Sequence, residues 1–377
     1  MAQGDGTCSF QHSANATNLR TDAPPIIPAL ISGKYHVKWT KLENLPAPMY
    51  GVRTAVQDKR IYVAGGKSPQ DNAINQTYVY DVNTNQWSKL PPSGQCKGIP
   101  CIIGGQLTII GGVLSDTEAI TNKVSTFNES GKNWISFYPD LISVRKRPGV
   151  ITHKEYVIVA GGIKCSETDN IPVVQNDIEI LNWTENLRWR KLSAYLPVPM
   201  SSFAPIIADC QLYIVGYWGT DMKHNSDAYT IPIKDIVRSR EKDQTGEQDQ
   251  AGEQDQAGEQ DQASIPSIQW IEITAADHHW TSLIPCSSPP VIVGGRNKNG
   301  MATDTISVYN DSSNSWMKVA SLSSVRSQVA VAAINDNAII TFGGYTVGGS
   351  TDFAKSSSVA TVELGQAKIT KPVIIEF

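Results

Sequence analysis

One unit recurs through this 377-residue chain: an apolar run, two glycines, a polar loop, a second β-prone run, and a tryptophan. Its clearest copy is RIYVAGGKSPQDNAINQTYVYDVNTNQWSKL, from Arg60 to Leu90. Six glycine landmarks mark the copies: Gly65-Gly66, Gly111-Gly112, Gly161-Gly162, Gly216-Tyr217, Gly294-Gly295 and Gly343-Gly344, at spacings of 46, 50, 55, 78 and 49. Six tryptophans hold the partner position: Trp39, Trp87, Trp134, Trp189, Trp270 and Trp316. A period of this length means an array of like units stacked into one body, which overrides the two or three domains that length alone implies.

Each unit reads as four short strands rich in Val, Ile and Tyr, with turn residues between them. One such sheet cannot bury both faces alone, but radial packing against like sheets lets it. The glycine pair turns the backbone where a side chain would collide, and the tryptophan fills the space between sheets. The unit of hydrophobic strand, Gly-Gly, spaced Tyr and Trp resembles the Kelch-repeat β-propellers. The resemblance covers roughly residues 35–365. Phe127 replaces Tyr in the second repeat and Leu181 does so in the third; the fourth departs most, with Gly216-Tyr217 and a displaced tryptophan. It implies an all-β fold: a six-bladed Kelch-type propeller with four antiparallel strands per blade. Trp39 precedes the first glycine pair and no tryptophan follows the last. The N-terminal strand is therefore expected to supply the outer strand of blade six and close the ring.

The expected organisation is a polar N-terminal tail over 1–33, the propeller over 34–366 and a C-terminal tail over 367–377. Within blade four, 238–266 is expected to be a disordered insertion, because GEQDQA occurs there three times in tandem. Eight acidic residues and one lysine give 241–263 a net −7, so against −4 for the chain the remainder is about +3. The insertion falls between the third and fourth strands of its blade. It is expected on the same face as both tails, opposite the face that carries the inter-blade loops. That second, unencumbered face is expected to be the functional one.

No basic field points to nucleic acid, no apolar run approaches a membrane span, and the first residues lack the apolar core of a signal peptide. The expectation is a cytoplasmic protein with reduced cysteines and no cofactor. The free face should be lined by 43–53, 91–98, 139–149, 193–204, 274–282 and 320–328, which carry Tyr50, Arg53, Lys97, Arg145, Lys146, Arg147 and Arg326. In Kelch domains, arginines near the positions of Arg145 and Arg326 often line the channel mouth and hold acidic partner residues. Arginine suits that task because its planar fork grips a carboxylate bidentately. The solvated-surface reading of these cations stands beside it. His279 and Trp280 join the candidate mouth, and Asp277, His278, His279 and His224 form a weaker metal candidate. Adjacent strand residues point opposite ways, so one motif cannot fill a metal's shell.

The resemblance thus implies a protein-interaction module holding a peptide or protein loop, expected to be acidic, at the channel mouth, in the role of an adaptor or scaffold. Many relatives join such a domain to a BTB domain, for which residues 1–34 are too short. The alternative is a small-molecule enzyme or isomerase using the central pocket. Kelch-like copper radical oxidases need a cross-linked Tyr–Cys pair, and nitrile-specifier proteins a spaced Glu, Asp and His. Neither constellation is present, and fold alone does not decide between the two readings. Oligomeric state is left open.

Overall fold

The computed structural model describes residues 35–70, 72–166, 171–221, 223–239, 269–276, 278–279, 282–283, 289–335, 338–346 and 362–369. They form a six-bladed propeller of six four-stranded antiparallel sheets. Blade one runs Tyr50–Gln57, Arg60–Lys67, Thr77–Asp81 and Gln86–Lys89. Blade two runs Ile99–Ile103, Gln106–Ile110, Val124–Asn128 and Asn133–Ile135. Blade three runs Gly149–His153, Tyr156–Ala160, Asp177–Asn182 and Asn186–Tyr195. Blade four runs Ile206–Ala208, Gln211–Trp218, His224–Pro232 and Ile271–Ile273. Blade five runs Ser282–Leu283, Val291–Val293, Thr305–Asn310 and Ser315–Ser321. Blade six runs Ala330–Asn335, Ala338–Phe342, Val362–Ile369 and, as its outer strand, the N-terminal Tyr35–Lys41. That last strand pairs with Val362–Ile369 over seven residues, so the ring closes as expected. The first strands of blades five, six, one, two and three pack against one another in turn.

All six repeat tryptophans make the same bond. Each indole N–H donates to a backbone carbonyl at the end of the preceding blade: Trp87 to Glu43, Trp134 to Pro91, Trp189 to Pro139, Trp270 to Tyr195, Trp316 to Thr274 and Trp39 to Ser321, at 2.7–3.1 Å. Trp189 is buried and the other five are half-buried, and an indole packed between sheets places its N–H where a carbonyl can accept it. Trp270 is displaced in the sequence but not in the structure. Leu181 stands opposite Trp189 as Tyr80, Phe127 and Tyr309 stand opposite Trp87, Trp134 and Trp316.

The second glycine of a pair stitches blades from the other side. Gly112, Gly162, Gly295 and Gly344 donate their N–H groups to the carbonyls of Arg145, Met200, Arg326 and Met49 in the next blade, at 2.8–3.1 Å. A Cβ on Gly112, whose φ is +105°, would lie 2.3 Å from the Cys96 carbonyl oxygen. Tyr217 takes this position in blade four, where a bulge beside Gly216 carries one strand through to Trp218.

Residues 240–268, which hold the acidic repeat, lie outside the described residues. Their flanks do not. The chain leaves Pro232 through the helix Ile233–Val237 and rejoins at the outer strand of blade four. Ser239 Oγ is 3.4 Å from Ser193 Oγ, and Trp270 bonds Tyr195, so both flanks rest on the outer strand of blade three. Antiparallel order puts this junction at the same end of the blades as Tyr35 and Ile369, opposite the inter-blade loops. The expected boundary at 366 falls inside Val362–Ile369; the two tails beyond the described residues carry no structural account. Among the described residues no helix is long and apolar enough to cross a membrane.

Candidate functional site

Six short pairings place the chain where it approaches each blade on the free face. Tyr50 pairs with Lys67, Cys96 with Val113, Lys146 with Ile163, Ser201 with Trp218, His279 with Arg296, and Ser327 with Tyr345. These make the residues just before and after them equivalent around the ring. The residue before is Met49, Gln95, Arg145, Met200, His278 or Arg326.

This position is a structural slot. Met49, Gln95, Arg145, Met200 and Arg326 are all buried there, with exposures of 0–3%. Gln95 Nε2 donates to the carbonyls of Gly111 and Lys123, and Arg145 Nη1 donates in the same way to that of Gly161, at 2.8 Å. The rest of the Arg145 guanidinium is taken by acids inside the protein: Nη2 lies 3.1 Å from Asp177 and 2.5 Å from Glu179. Glu179 also accepts the backbone N–H groups of Ile142 and Ser143, which ties the inter-blade loop to the third strand. Arg326 pairs with Glu363, on the third strand of its own blade, and Glu363 also accepts from Ser323 Oγ. The expectation that Arg145 and Arg326 line the mouth is therefore corrected: both are interior, their charge neutralised by carboxylates. Tyr50 is also interior, 5% exposed, its ring centroid 4.1 Å from that of Tyr345.

The residue after each pairing is different in kind. Gly51, Lys97, Arg147, Ser202 and Gln328 all have left-handed backbones, with φ between +52° and +63°. They are linked to one another: Gly51 N–H donates to Gln328 O, Arg147 N–H to Lys97 O, and Ser202 N–H to Arg147 O, at 2.9–3.4 Å. Four of the five are not glycine, and backbone strain of this kind concentrates at functional sites.

Cations gather beside this ring of residues. Arg53 lies on the innermost strand of blade one, half-buried. Its neighbours Val52 and Val56 pack towards blade six and Ala55 towards blade two, so Arg53 faces blade two with Ala55. Lys97 begins blade two, its Cα close to Gly65, which pairs with Val52. Burial, and then the charge of Arg147, lower the Arg53 guanidinium to about 10. Burial, followed by Arg147, Lys146 and Lys67, also lowers the Lys97 ammonium. Neither Arg53 nor Lys97 has a carboxylate partner among the described residues. Arg296 joins the rim from blade five, its Nε 3.4 Å from Ser327 Oγ.

Of the four metal candidates, His224 alone has a described side chain. The His224 ring packs edge-on against Trp218, with centroids 4.5 Å apart. His278 and His279 form a two-residue strand against Arg296–Asn297, while Asp277 and Trp280 lie outside the described residues. Among the described residues no three His, Cys, Asp or Glu side chains form a cluster fit for a metal. The sequence reading missed the structural slot, although counting would have shown it. Met49, Gln95, Arg145, Met200 and His278 each stand 16 residues before their glycine landmark. Two methionines in an equivalent set of six argue for burial, not for ligand contact.

A sequence profile of the KLHDC2/KLHL20/DRC7 Kelch-repeats domain matches residues 35–219. Kelch domain-containing protein 3 of Rattus norvegicus is 30% identical over 129 residues, 33% of this chain and 32% of that protein. Kelch-like protein terF of Aspergillus terreus is 28% identical over 137 residues, covering 33% of this chain and 30% of the other. Beta-scruin of Limulus polyphemus is 22% identical over 208 residues, 53% of this chain and 22% of its own length. The chain thus spans about a third or less of the length of these curated relatives. Among solved structures, that titled "Structure of YjhT" superposes with a TM-score of 0.63 at 12% identity, covering 87% of this chain and 99% of the other, a likeness of fold. With glycine pairs, tryptophan stitches and six closed blades in place, the chain belongs to the Kelch-repeat β-propellers.

Proposed function

We propose that this propeller is a protein-interaction module that holds an acidic peptide or protein loop at the mouth of its channel, on the face opposite Tyr35, Ile369 and the flanks of residues 240–268. Kelch-repeat propellers generally mediate protein–protein interaction. One observation carries the acidic preference: Arg145 and Arg326 have carboxylates inside the protein, whereas Arg53 and Lys97 have none among the described residues. Desolvated cations without counter-charge are costly to the fold and favour a ligand that supplies the charge. Arg147 adds to the same positive field.

The test is a pulldown from native extract, with the intact chain beside a variant carrying Arg53→Ala, Lys97→Ala and Arg147→Ala, followed by mass spectrometry. A protein held by the first and lost by the second, and competed by an acidic peptide cut from its sequence, is the expected result. Identical partners on both baits would sink the proposal. Arg145 and Arg326 are left unchanged, since altering them tests folding.

A further inference from the structure

We infer that a second binding site lies on the face opposite the mouth, in the cleft between blades one and two, and that it takes a neutral, polyhydroxylated ligand, a carbohydrate. The site is independent of what the mouth binds. The cleft encloses about 540 Å³, within the roughly 300–1,000 Å³ usual for ligand pockets. Its walls are the turns around Asp58 and Asn83 of blade one and those around Gly105 and Glu129 of blade two. These turns lie at the end of the blades that also carries Tyr35 and Ile369. Tyr62, Leu107 and Phe127 close the floor, each only 2–3% exposed.

One residue keeps this cleft open. Two positions past Phe127 stands Glu129, and two positions past the equivalent Leu181 stands Trp183. Trp183 donates its indole N–H to the Lys154 carbonyl of its own blade, and a Cβ built on Gly104 of blade two would lie 3.3 Å from its ring. The indole thus fills the space between blades two and three. Glu129 is too small to do the same between blades one and two. It reaches Arg60 across the cleft at 3.4 Å, with both side chains more than half exposed, which makes the pair weak.

The walls set the chemistry of the ligand. Among the described residues, the side chains of Asp58, Lys59, Asn83 and Gln106 have no hydrogen-bond or ion-pair partner. Asp81 Oδ1 accepts the N–H groups of Asn83 and Thr84, and Asn128 Oδ1 accepts those of Ser130 and Gly131. Asp81 Oδ2 and Asn128 Nδ2 remain for a ligand. Donors and acceptors therefore occur together here, and the carboxamides supply both. A hydroxyl also donates and accepts, so a ligand carrying several of them satisfies such walls. An apolar ligand would find the floor already covered. Charge disfavours an anion: Arg60 and Glu129 neutralise each other, and Asp58 and Asp81 then stand against Lys59 alone.

The probe is an array of immobilised neutral oligosaccharides built from glucose, mannose, galactose or N-acetylglucosamine, with sulfated oligosaccharides and chitosan as the charged comparators. The full chain is applied as wild type, as Glu129→Trp, and as the double variant Asn83→Ala with Gln106→Ala. The wild type should be held by at least one neutral series. Glu129→Trp places in this cleft the side chain that fills the next one. It should weaken that binding at least tenfold while its unfolding midpoint stays within about 2 °C of the wild type. The double variant should weaken binding several-fold. Competition by free monosaccharide and by free oligomer, either of which would support the site, separates a small sugar from a glycan chain. No binding to any neutral series, binding only to the sulfated or the chitosan spots, or undiminished binding by a folded Glu129→Trp would each overturn the inference. If Glu129→Trp unfolds early, the double variant decides, and full binding by it overturns the inference.

Discussion

The indole N–H of Trp39 donates to the carbonyl of Ser321 at 2.9 Å, joining residues 282 apart in sequence. It is the last of six equivalent stitches, and the one that depends on ring closure. Trp39→Phe keeps most of the ring and deletes the bond, so it should lower stability by about 1 kcal/mol. Trp39→Ala also uncovers Gly365, above which the indole packs, and should cost roughly 3 kcal/mol or more. Denaturant titration of both variants measures this. A cost for Trp39→Phe equal to that of Trp39→Ala would mean the bond, not the packing, dominates.

Arg145 should behave as a structural residue. Arg145→Met leaves Glu179 fully buried with only backbone donors, and should cost about 3–5 kcal/mol. The combined change Arg145→Met with Asp177→Asn and Glu179→Gln should recover a good part of that, because methionine already fills the slot in blades one and four. Chemical denaturation decides; full stability of the single variant would contradict the network.

Acid should act through Asp177. Burial alone would raise its carboxyl, but Arg145 and Lys191, the latter 2.7 Å away, hold it below the ordinary carboxylate range. A lowered pKa in the folded state means stability that is present above the unfolded pKa of about 3.9 and lost as pH falls through the folded value. The wild type should therefore exceed Asp177→Asn in stability at neutral pH. The gap should close below about pH 4, followed by thermal unfolding across the range. A gap that widens on acidification would reverse the sign.

Two glycines with left-handed backbones should separate strain from collision. Nothing lies within 4 Å of a Cβ built on Gly94, so Gly94→Ala should cost about 1–2 kcal/mol. At Gly112 the same methyl meets the Cys96 carbonyl oxygen at 2.3 Å, and Gly112→Ala should cost distinctly more, roughly 3 kcal/mol or above. Equal costs at the two sites would mean that the blade junction yields.

Thiol reactivity should follow burial. Cys101 is buried, and desolvation pushes its thiol up to about 12. Cys165 and Cys210 are partly exposed. Alkylation of the native protein, mapped by peptide mass, should mark Cys165 and Cys210 and spare Cys101 until unfolding.

The fold was legible because each of its devices is local and repeated. Glycine landmarks and tryptophans recur six times, with a spaced Tyr or Phe in several copies, and together they make a pattern that no single copy would. Closure was legible too, from a tryptophan left over at the front of the chain. The site was less legible. Arg53, Arg145 and Arg326 are alike in the sequence, yet Arg145 and Arg326 turn inward to carboxylates on the third strands of their own blades while Arg53 meets no carboxylate among the described residues. Glu179 and Glu363 lie 34 and 37 residues after the arginines they neutralise. Local pattern sets which residues become strands and turns, because propensity and periodicity act within a few residues. Which charge is neutralised is settled only when each blade folds and brings its third strand against the loop that enters it, more than thirty residues away in sequence.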